Sequence, residues 1–348
     1  MSRAIGYYVH HHGAGHRARA MAITDHADGR VTLIGTRLTG LTGAHPCVDL
    51  PDDRMDDTFD GVDGDASRPP ALHYAPIDHD GIRRRVAAMT AWIATSKPAL
   101  MVVDVSCEIA MLARLASVPV VYVRLSGLRN DGPHEQAFRA ATMLLAPFAE
   151  VLDDPAVPKW VRAKTRYFPG LVTQLDARTW SQPVEPRSVV VVIGQGGAEG
   201  DGAAWAQAAR ATADRTWTII GPCTPVADEP GNLQILGWVD DADARIARAG
   251  VVIGSAGDGV VGTVLAAGRP FLCLPEDRPF GEQRAKAARL VAAGVAVMGD
   301  NSLNNDWPAL IATAERLDPA AARELQDANG AARAAAYLCA LADRGGRS

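Results

Sequence analysis

Short apolar runs recur along the chain, separated by stretches with helical spacing. In the first half the runs cover 5–9, 31–34, 100–103 and 118–123. The stretches between them predict helices over about 14–26, 82–95, 108–116 and 134–143. Brief continuous runs of β-branched residues that alternate with helices predict parallel strands buried on both faces. The expected fold is therefore α/β and doubly wound, with ligands gathering at the carboxyl ends of the strands. Residues 172–187 are polar and carry Pro183 and Pro186. The alternation then restarts: strand 188–193, helix 203–213, strands 216–220 and 233–236, helix 240–249, strand 250–253, helix 259–267, strand 270–274, helix 281–292 and a short strand at 295–298. The Ala/Leu/Arg-rich tail over 319–342 reads as helical.

That restart divides the chain into domains at 1–180 and 187–330, with a last helix in 331–348 that can pack back on the first domain. A length of 348 residues suits two cores. One segment breaks the rhythm. Residues 51–76 hold seven aspartates, among them Asp52, Asp53 and Asp65, together with Gly61, Gly64, Pro69 and Pro70. This is a long surface loop, either an acceptor-binding insertion or a solvated linker.

Composition narrows the function classes. Net charge is −5 and no Lys/Arg-rich block exists, which argues against electrostatic capture of nucleic acid. The five cysteines, Cys47, Cys107, Cys223, Cys273 and Cys339, never form a CxxC pair and read as reduced thiols. The chain enters a strand at once, so no signal peptide is expected and the expected location is cytoplasmic. No apolar run approaches the roughly 20 residues of a membrane span. A peripheral membrane contact stays open; Trp92, Trp160, Arg162 and Lys164 are too scattered to define one.

The richest string lies in the second half. It runs Gly237-Trp238-Val239-Asp240-Asp241, then Gly254-Ser255-Ala256-Gly257, then Ala266-Ala267-Gly268-Arg269-Pro270, and ends Phe280-Gly281-Glu282-Gln283. Over about sixty residues it resembles the donor-binding segment of GT-B glycosyltransferases. The resemblance is to family 28, which contains the peptidoglycan lipid-linked N-acetylglucosaminyltransferase and the plastid galactolipid synthases. It implies two Rossmann-like domains facing a central cleft. It also implies a nucleotide-sugar donor held by Gly194, Gly196, Gly197, Trp238, Val239, Ser255, Gly257, Asp258, Gly259, Thr263, Glu282 and Gln283. Gly257 and Gly259 would let the backbone approach a diphosphate at a helix N-terminus. Glu282 and Gln283 suit vicinal sugar hydroxyls. In the family a Glu grips the nucleotide ribose where this chain has Thr263, which leaves the nucleotide, UDP by resemblance, open.

After the first strand comes His10-His11-His12-Gly13-Ala14-Gly15-His16-Arg17-Ala18-Arg19-Ala20. The family's functional histidine falls on His16, and a neutral imidazole there can take a proton from an acceptor hydroxyl. The G-H-x-x-R-A string also resembles the nucleotide-sugar hydrolases of pseudaminic-acid synthesis. Three consecutive histidines on an extended chain cannot converge on one ion, so no metal is expected there. His12, Gly13, Gly15, Asp104, Arg129 and His134 are the acceptor-side candidates, the last three because they follow strands at the cleft side. The resemblance implies an inverting transfer to an unidentified hydroxyl acceptor, with no cofactor and no metal. Two alternatives stand beside it: hydrolysis of the nucleotide-sugar, and nucleotide-sugar binding without turnover.

Overall fold

The computed structural model describes residues 3–11, 14–56, 58–64, 68–171, 183–194, 196–300 and 304–345. His12, Gly13 and most of the polar 172–187 stretch lie outside the described residues. Seven strands form the first sheet: β1 (Ile5–Val9), β2 (Val31–Gly35), β3 (Cys47–Asp49), β4 (Leu100–Asp104), β5 (Val120–Val123), β6 (Met143–Ala146) and β7 (Thr165–Tyr167). Their order is β3-β2-β1-β4-β5-β6-β7, all parallel. Six strands form the second: β8 (Glu185–Val192), β9 (Thr216–Ile220), β10 (Leu233–Gly237), β11 (Ala249–Gly254), β12 (Phe271–Cys273) and β13 (Val297–Met298). Their order is β10-β9-β8-β11-β12-β13, again all parallel. Each sheet thus has the doubly wound order, and it reverses direction between β1 and β4 and between β8 and β11. Crevices form at such reversals, outside the carboxyl ends of the strands.

Helices cover both faces of both sheets. The first sheet packs on one side against α1 (Ala14–Thr24) through Ala20 and Ile23. On the other side it packs against α2 (Asp80–Ser96), α3 (Cys107–Leu115) and α4 (Gly132–Ala140), which contribute Met89, Ile93, Ile109 and Phe138. The short α5 (Lys159–Lys164) leads into β7. In the second half α6 (Gly202–Ala211) covers one face, with Trp205 and Trp217 at its centre. Next come α7 (Ala242–Arg248), α8 (Asp258–Ala267) and α9 (Glu282–Ala292), which cover the opposite face. The chain ends with α10 (Trp307–Ala314), α11 (Pro319–Glu324) and α12 (Gly330–Asp343).

Several elements differ from the sequence expectation. The helix expected over 134–143 begins at Gly132, because Asp131 caps it by accepting from the His134 N–H, and it ends at Ala140. Met143 therefore starts β6, and Val118 lies before β5. The strands β3, β6 and β7 and the helices α5 and α10 were not expected; β3 and β7 are three-residue elements too short to show a period. The helical tail is two helices, not one. After α11 the chain crosses to the first sheet, where Ala331, Ala334, Leu338 and Leu341 of α12 join the core around Ile5 and Ile23. The crossing is tight. Gly170 has φ +83°, and a Cβ there would lie 2.0 Å from the Asp327 carbonyl oxygen.

Candidate functional site

The loop after β1 leads into α1, which carries His16 in its first turn and Arg19 one turn later on the same face. β4 lies beside β1, so its last residue, Asp104, arrives directly under that turn. Asp104 is completely buried. Its Oδ1 is 3.1 Å from His16 Nδ1. Arg19 Nε and Nη2 donate to its Oδ2, both at 3.2 Å. Burial opposes the charge on Asp104, but Arg19 and His16 overcome it and hold the carboxyl below its ordinary value. Arg19 Nη2 reaches the same His16 Nδ1 at 3.1 Å, so Nδ1 either accepts from Arg19 or, as Nδ1–H, donates to Asp104. In the Nδ1–H tautomer Nε2 keeps its lone pair as the basic atom. The chain turns sharply after Asp104. Val105 sits at φ +59°, a strained conformation for a β-branched residue, and Tyr122 Oη donates to its carbonyl at 2.7 Å.

The second half brings its own loops to the same place. β11 ends at Gly254, and Gly257 caps α8 with Asp258 as the first helical residue. A Cβ on Gly259 would meet no atom within 4 Å, and one on Gly257 would only touch Ser255 Oγ at 3.6 Å. Neither glycine is in the left-handed region, so the fold itself does not demand them. Space is open above both. Gly194 is equally open, whereas a Cβ on Gly197 would lie 2.3 Å from Glu276 Oε1. Gly196 offers its carbonyl to Arg278. Trp238 is 63% exposed directly after β10, and Val239 packs at the edge of the core below it.

Two donor candidates are used inside the protein. Gln283 is buried, and its Oε1 accepts from the backbone N–H of Ala256 at 3.1 Å and of Glu276 at 2.9 Å. It therefore ties the loop before α8 to the loop before α9, rather than standing free for sugar hydroxyls. Thr263 is buried as well, and its hydroxyl donates to Asp243 at 3.2 Å. This bond ties α8 to α7.

Across the cleft the halves meet through charged side chains. Arg19 Nη1 donates to Asp258 Oδ2 at 3.0 Å, and Lys286 on α9 donates to Asp258 Oδ1. Burial works against the Asp258 charge, yet Lys286 and Arg19 hold its carboxyl well below the usual range. Lys286 also lies 3.9 Å from Glu282. Glu282 in turn accepts from Arg129 Nη2 of the first half at 2.8 Å. Arg129 stacks over the Phe280 ring at 5.0 Å, and the Leu128 N–H donates to the Phe280 carbonyl. His134 supports Arg129 from behind, with Nε2 3.2 Å from Arg129 Nη1 and Nδ1 2.8 Å from Asp131 Oδ2. Burial outweighs Asp131 and pushes His134 down to about 4, so it is neutral at pH 7. Arg129 and His134 thus build a bridge between the halves instead of a free acceptor surface.

The sequence reading missed Arg19, Lys286, Asp131 and His73. Arg19 stood in the G-H-x-x-R-A string, and Lys286 follows Glu282 by one helical turn, but neither spacing reveals a partner 239 or 28 residues away. His73 bonds Asp131 Oδ1 at 2.8 Å. One ligand atom from each of His73, Cys107 and His134 lies within 4.8 Å of the others. Each already has a partner elsewhere: His73 and His134 share Asp131, His134 also meets Arg129, and Cys107 Sγ, whose thiol burial pushes to about 12, lies 3.4 Å from Tyr122 Oη.

No family model matches the chain. Over 100 residues it is 37% identical to the UDP-N-acetylglucosamine–N-acetylmuramyl-(pentapeptide) pyrophosphoryl-undecaprenol N-acetylglucosamine transferase of Paenarthrobacter aurescens. That stretch is 27% of this chain and 27% of the relative. Solved structures match along nearly the whole length. The glycotransferase of kitacinnamycin superposes with a TM-score of 0.69 at 16% identity, over 99% of this chain and 100% of that one. Acinetobacter baumannii MurG superposes at 0.64 and 17% identity, also over 99% and 100%. The spinosyn forosaminyltransferase SpnP gives 0.68 at 13%, over 98% and 100%. The fold is GT-B. With it comes the two-domain Rossmann-like architecture that the donor-like string implied, and the chain resembles the family 28 type in particular. Among the described residues, no helix of this GT-B chain is long and apolar enough to cross a membrane.

Proposed function

We propose that the chain is an inverting glycosyltransferase that moves a sugar from a nucleotide-sugar to an acceptor hydroxyl. In this reading 1–180 is the acceptor-side domain, 187–330 the donor domain, and 331–348 a tether back to the first. The observation that carries it is the His16–Asp104 pair, at 3.1 Å, set at the reversal of the first sheet and joined through Arg19 to the donor-like helix α8. The acceptor O–H gives its proton to His16 Nε2 while its oxygen bonds the anomeric carbon. The bond from that carbon to the diphosphate oxygen breaks on the opposite face, and the leaving group takes the electron pair. Asp104 holds the imidazole in the required tautomer and balances the imidazolium. The open N-terminus of α8 at Gly257 and Gly259 faces the developing charge on the diphosphate, a role for which this reading asks no metal. Exposed Trp238 offers a flat apolar face beside the same loops.

The string Gly15-His16-Arg17-Ala18-Arg19-Ala20 favours one second reading, with water as the acceptor. Release of nucleoside diphosphate from a panel of nucleotide-sugars, with and without candidate acceptors, separates the two. Release only with acceptor supports transfer, and equal release without it supports hydrolysis. His16→Ala should lower turnover about a hundred- to ten-thousand-fold while nucleotide binding survives. His16→Asn serves as the control for polarity without basicity. Near-normal turnover in folded His16→Ala would remove His16 as the base.

A further inference from the structure

We infer that Glu276 selects the donor sugar by accepting a hydrogen bond from one sugar hydroxyl, a role that rests on the reading of the second half as the donor domain. Glu282 and Gln283, the pair expected to meet the sugar, are engaged within the protein. Four carboxylates lie between Gly254 and Gln283. Asp258 is shared by Arg19 and Lys286, and Glu282 is held by Arg129. Asp277 points into solvent, its side chain 87% exposed and paired with Arg284. Glu276 is the fourth, and its side chain is only 21% exposed. It follows β12 and is tied by its backbone N–H to Gln283 Oε1, which also accepts from Ala256 in the loop after β11. The side chain then reaches across the end of β11 to the loop after β8, where its Oε1 fills the room that a Cβ on Gly197 would need. The carboxylate therefore sits among three loops at the reversal between β8 and β11, where a ligand crevice forms. The open N-terminus of α8 at Gly257 and Gly259 borders the same loops. A sugar is bonded directly to its diphosphate, so it has to lie beside whichever loops border that N-terminus.

The carboxylate is braced through one oxygen and open at the other. Arg278 Nη2 donates to Oε2 at 2.6 Å and also to the Gly196 carbonyl, and Gln283 Nε2 donates to the same Oε2 at 3.4 Å. Among the described residues Oε1 accepts no hydrogen bond. A carboxylate can only accept, so the partner that suits Oε1 is a hydroxyl and not a phosphate oxygen. Arg278 behind it offsets the repulsion that the diphosphate would exert on this charge. The glycine opposite bears the mark of the same arrangement. Gly197 is outside the left-handed region, and the three atoms nearest a Cβ there all belong to Glu276. What bars a side chain at 197 is thus the carboxylate and not the backbone.

The test is calorimetric titration of the full chain with a panel of UDP-, dTDP- and GDP-sugars, followed by the bare diphosphate of whichever binds tightest. Glu276→Ala should weaken that nucleotide-sugar about ten- to a hundredfold and the bare diphosphate less than about twofold, since one charge-assisted hydrogen bond to the sugar is lost. Gly197→Ala should reproduce the split by pushing the carboxylate aside, and the double variant should be no weaker than Glu276→Ala alone. Among monodeoxy analogues of the sugar, one should bind wild type as poorly as the parent binds Glu276→Ala, and that variant should not tell the two apart. Equal losses for nucleotide-sugar and bare diphosphate, or no loss for either, would overturn the role of Glu276; if Glu276→Ala fails to fold, Gly197→Ala decides by the same split. The titrations need no turnover. A chain that binds nucleotide-sugar but transfers nothing would sink the proposed transfer and leave Glu276 in place, whereas a wild type that binds no nucleotide would sink both.

Discussion

Replacing Gln283 tests whether it recognises sugar or holds the donor loops in place. The carboxamide oxygen accepts from the N–H groups of Ala256 and Glu276, and Ala256 is fully buried. Gln283→Met keeps the bulk and removes the acceptor. A buried donor stripped of its partner costs about 1–3 kcal/mol, so two give about 2–6 kcal/mol. Ser255 and Glu276 are part-exposed, and water that enters beside them brings the expected loss to about 2–4 kcal/mol. Thermal unfolding should report this as a fall in Tm on the order of 5–10 °C for a domain of this size. Calorimetric titration should then show bare nucleoside diphosphate and intact nucleotide-sugar weakened alike, since both need the α8 loop in position. Wild-type stability combined with a loss confined to the nucleotide-sugar would refute this reasoning and return Gln283 to the sugar.

Three further outcomes are expected. His134 binds its proton only near pH 4 when folded but near 6.5 when unfolded, so the unfolded chain takes up the proton first as pH falls. Stability should therefore be intact above pH 6.5 and decline by about 3 kcal/mol on the way to pH 4, a slope measurable by urea denaturation and absent in His134→Phe. Gly259→Val adds a side chain where no atom lies within 4 Å, so it should leave Tm within about 2 °C and weaken nucleotide affinity tenfold or more; unchanged affinity would put the ligand elsewhere. Leu338→Ala, at 1% exposure in the core of the first sheet, should cost about 2–5 kcal/mol by chemical denaturation, and a loss under 0.5 kcal/mol would make α12 a mere appendage.

Two kinds of information were legible in the linear chain. Apolar runs at 5–9, 100–103, 216–220 and 250–253 showed where the parallel strands lie, because a strand covered on both faces has no polar alternation to hide it. Glycine spacing around 254–259 marked a loop that opens a helix. His16 and Asp104 were separately visible as strand-end residues, though nothing in their separation announced a 3.1 Å contact. That contact exists because β4 is inserted beside β1, and strand order is a property of the sheet and not of the segments. Elements shorter than a period, such as β3 and β7, escaped for want of pattern.

By itself the sequence determined the local elements, the helix caps and the chemistry available at each strand end, since these depend on neighbours within a few residues. Only the tertiary structure decided which charges share a partner. Arg19 and Asp258 are 239 residues apart, as are the members of the Arg129–Glu282 pair by 153, and each pair forms where two separately wound sheets face one another. The fates of Gln283 and Thr263 were decided in the same way. Both read as polar residues at a ligand site, and both are buried with their hydrogen bonds directed inward, because the loops and helix packed against them supply partners that no spacing along the chain encodes.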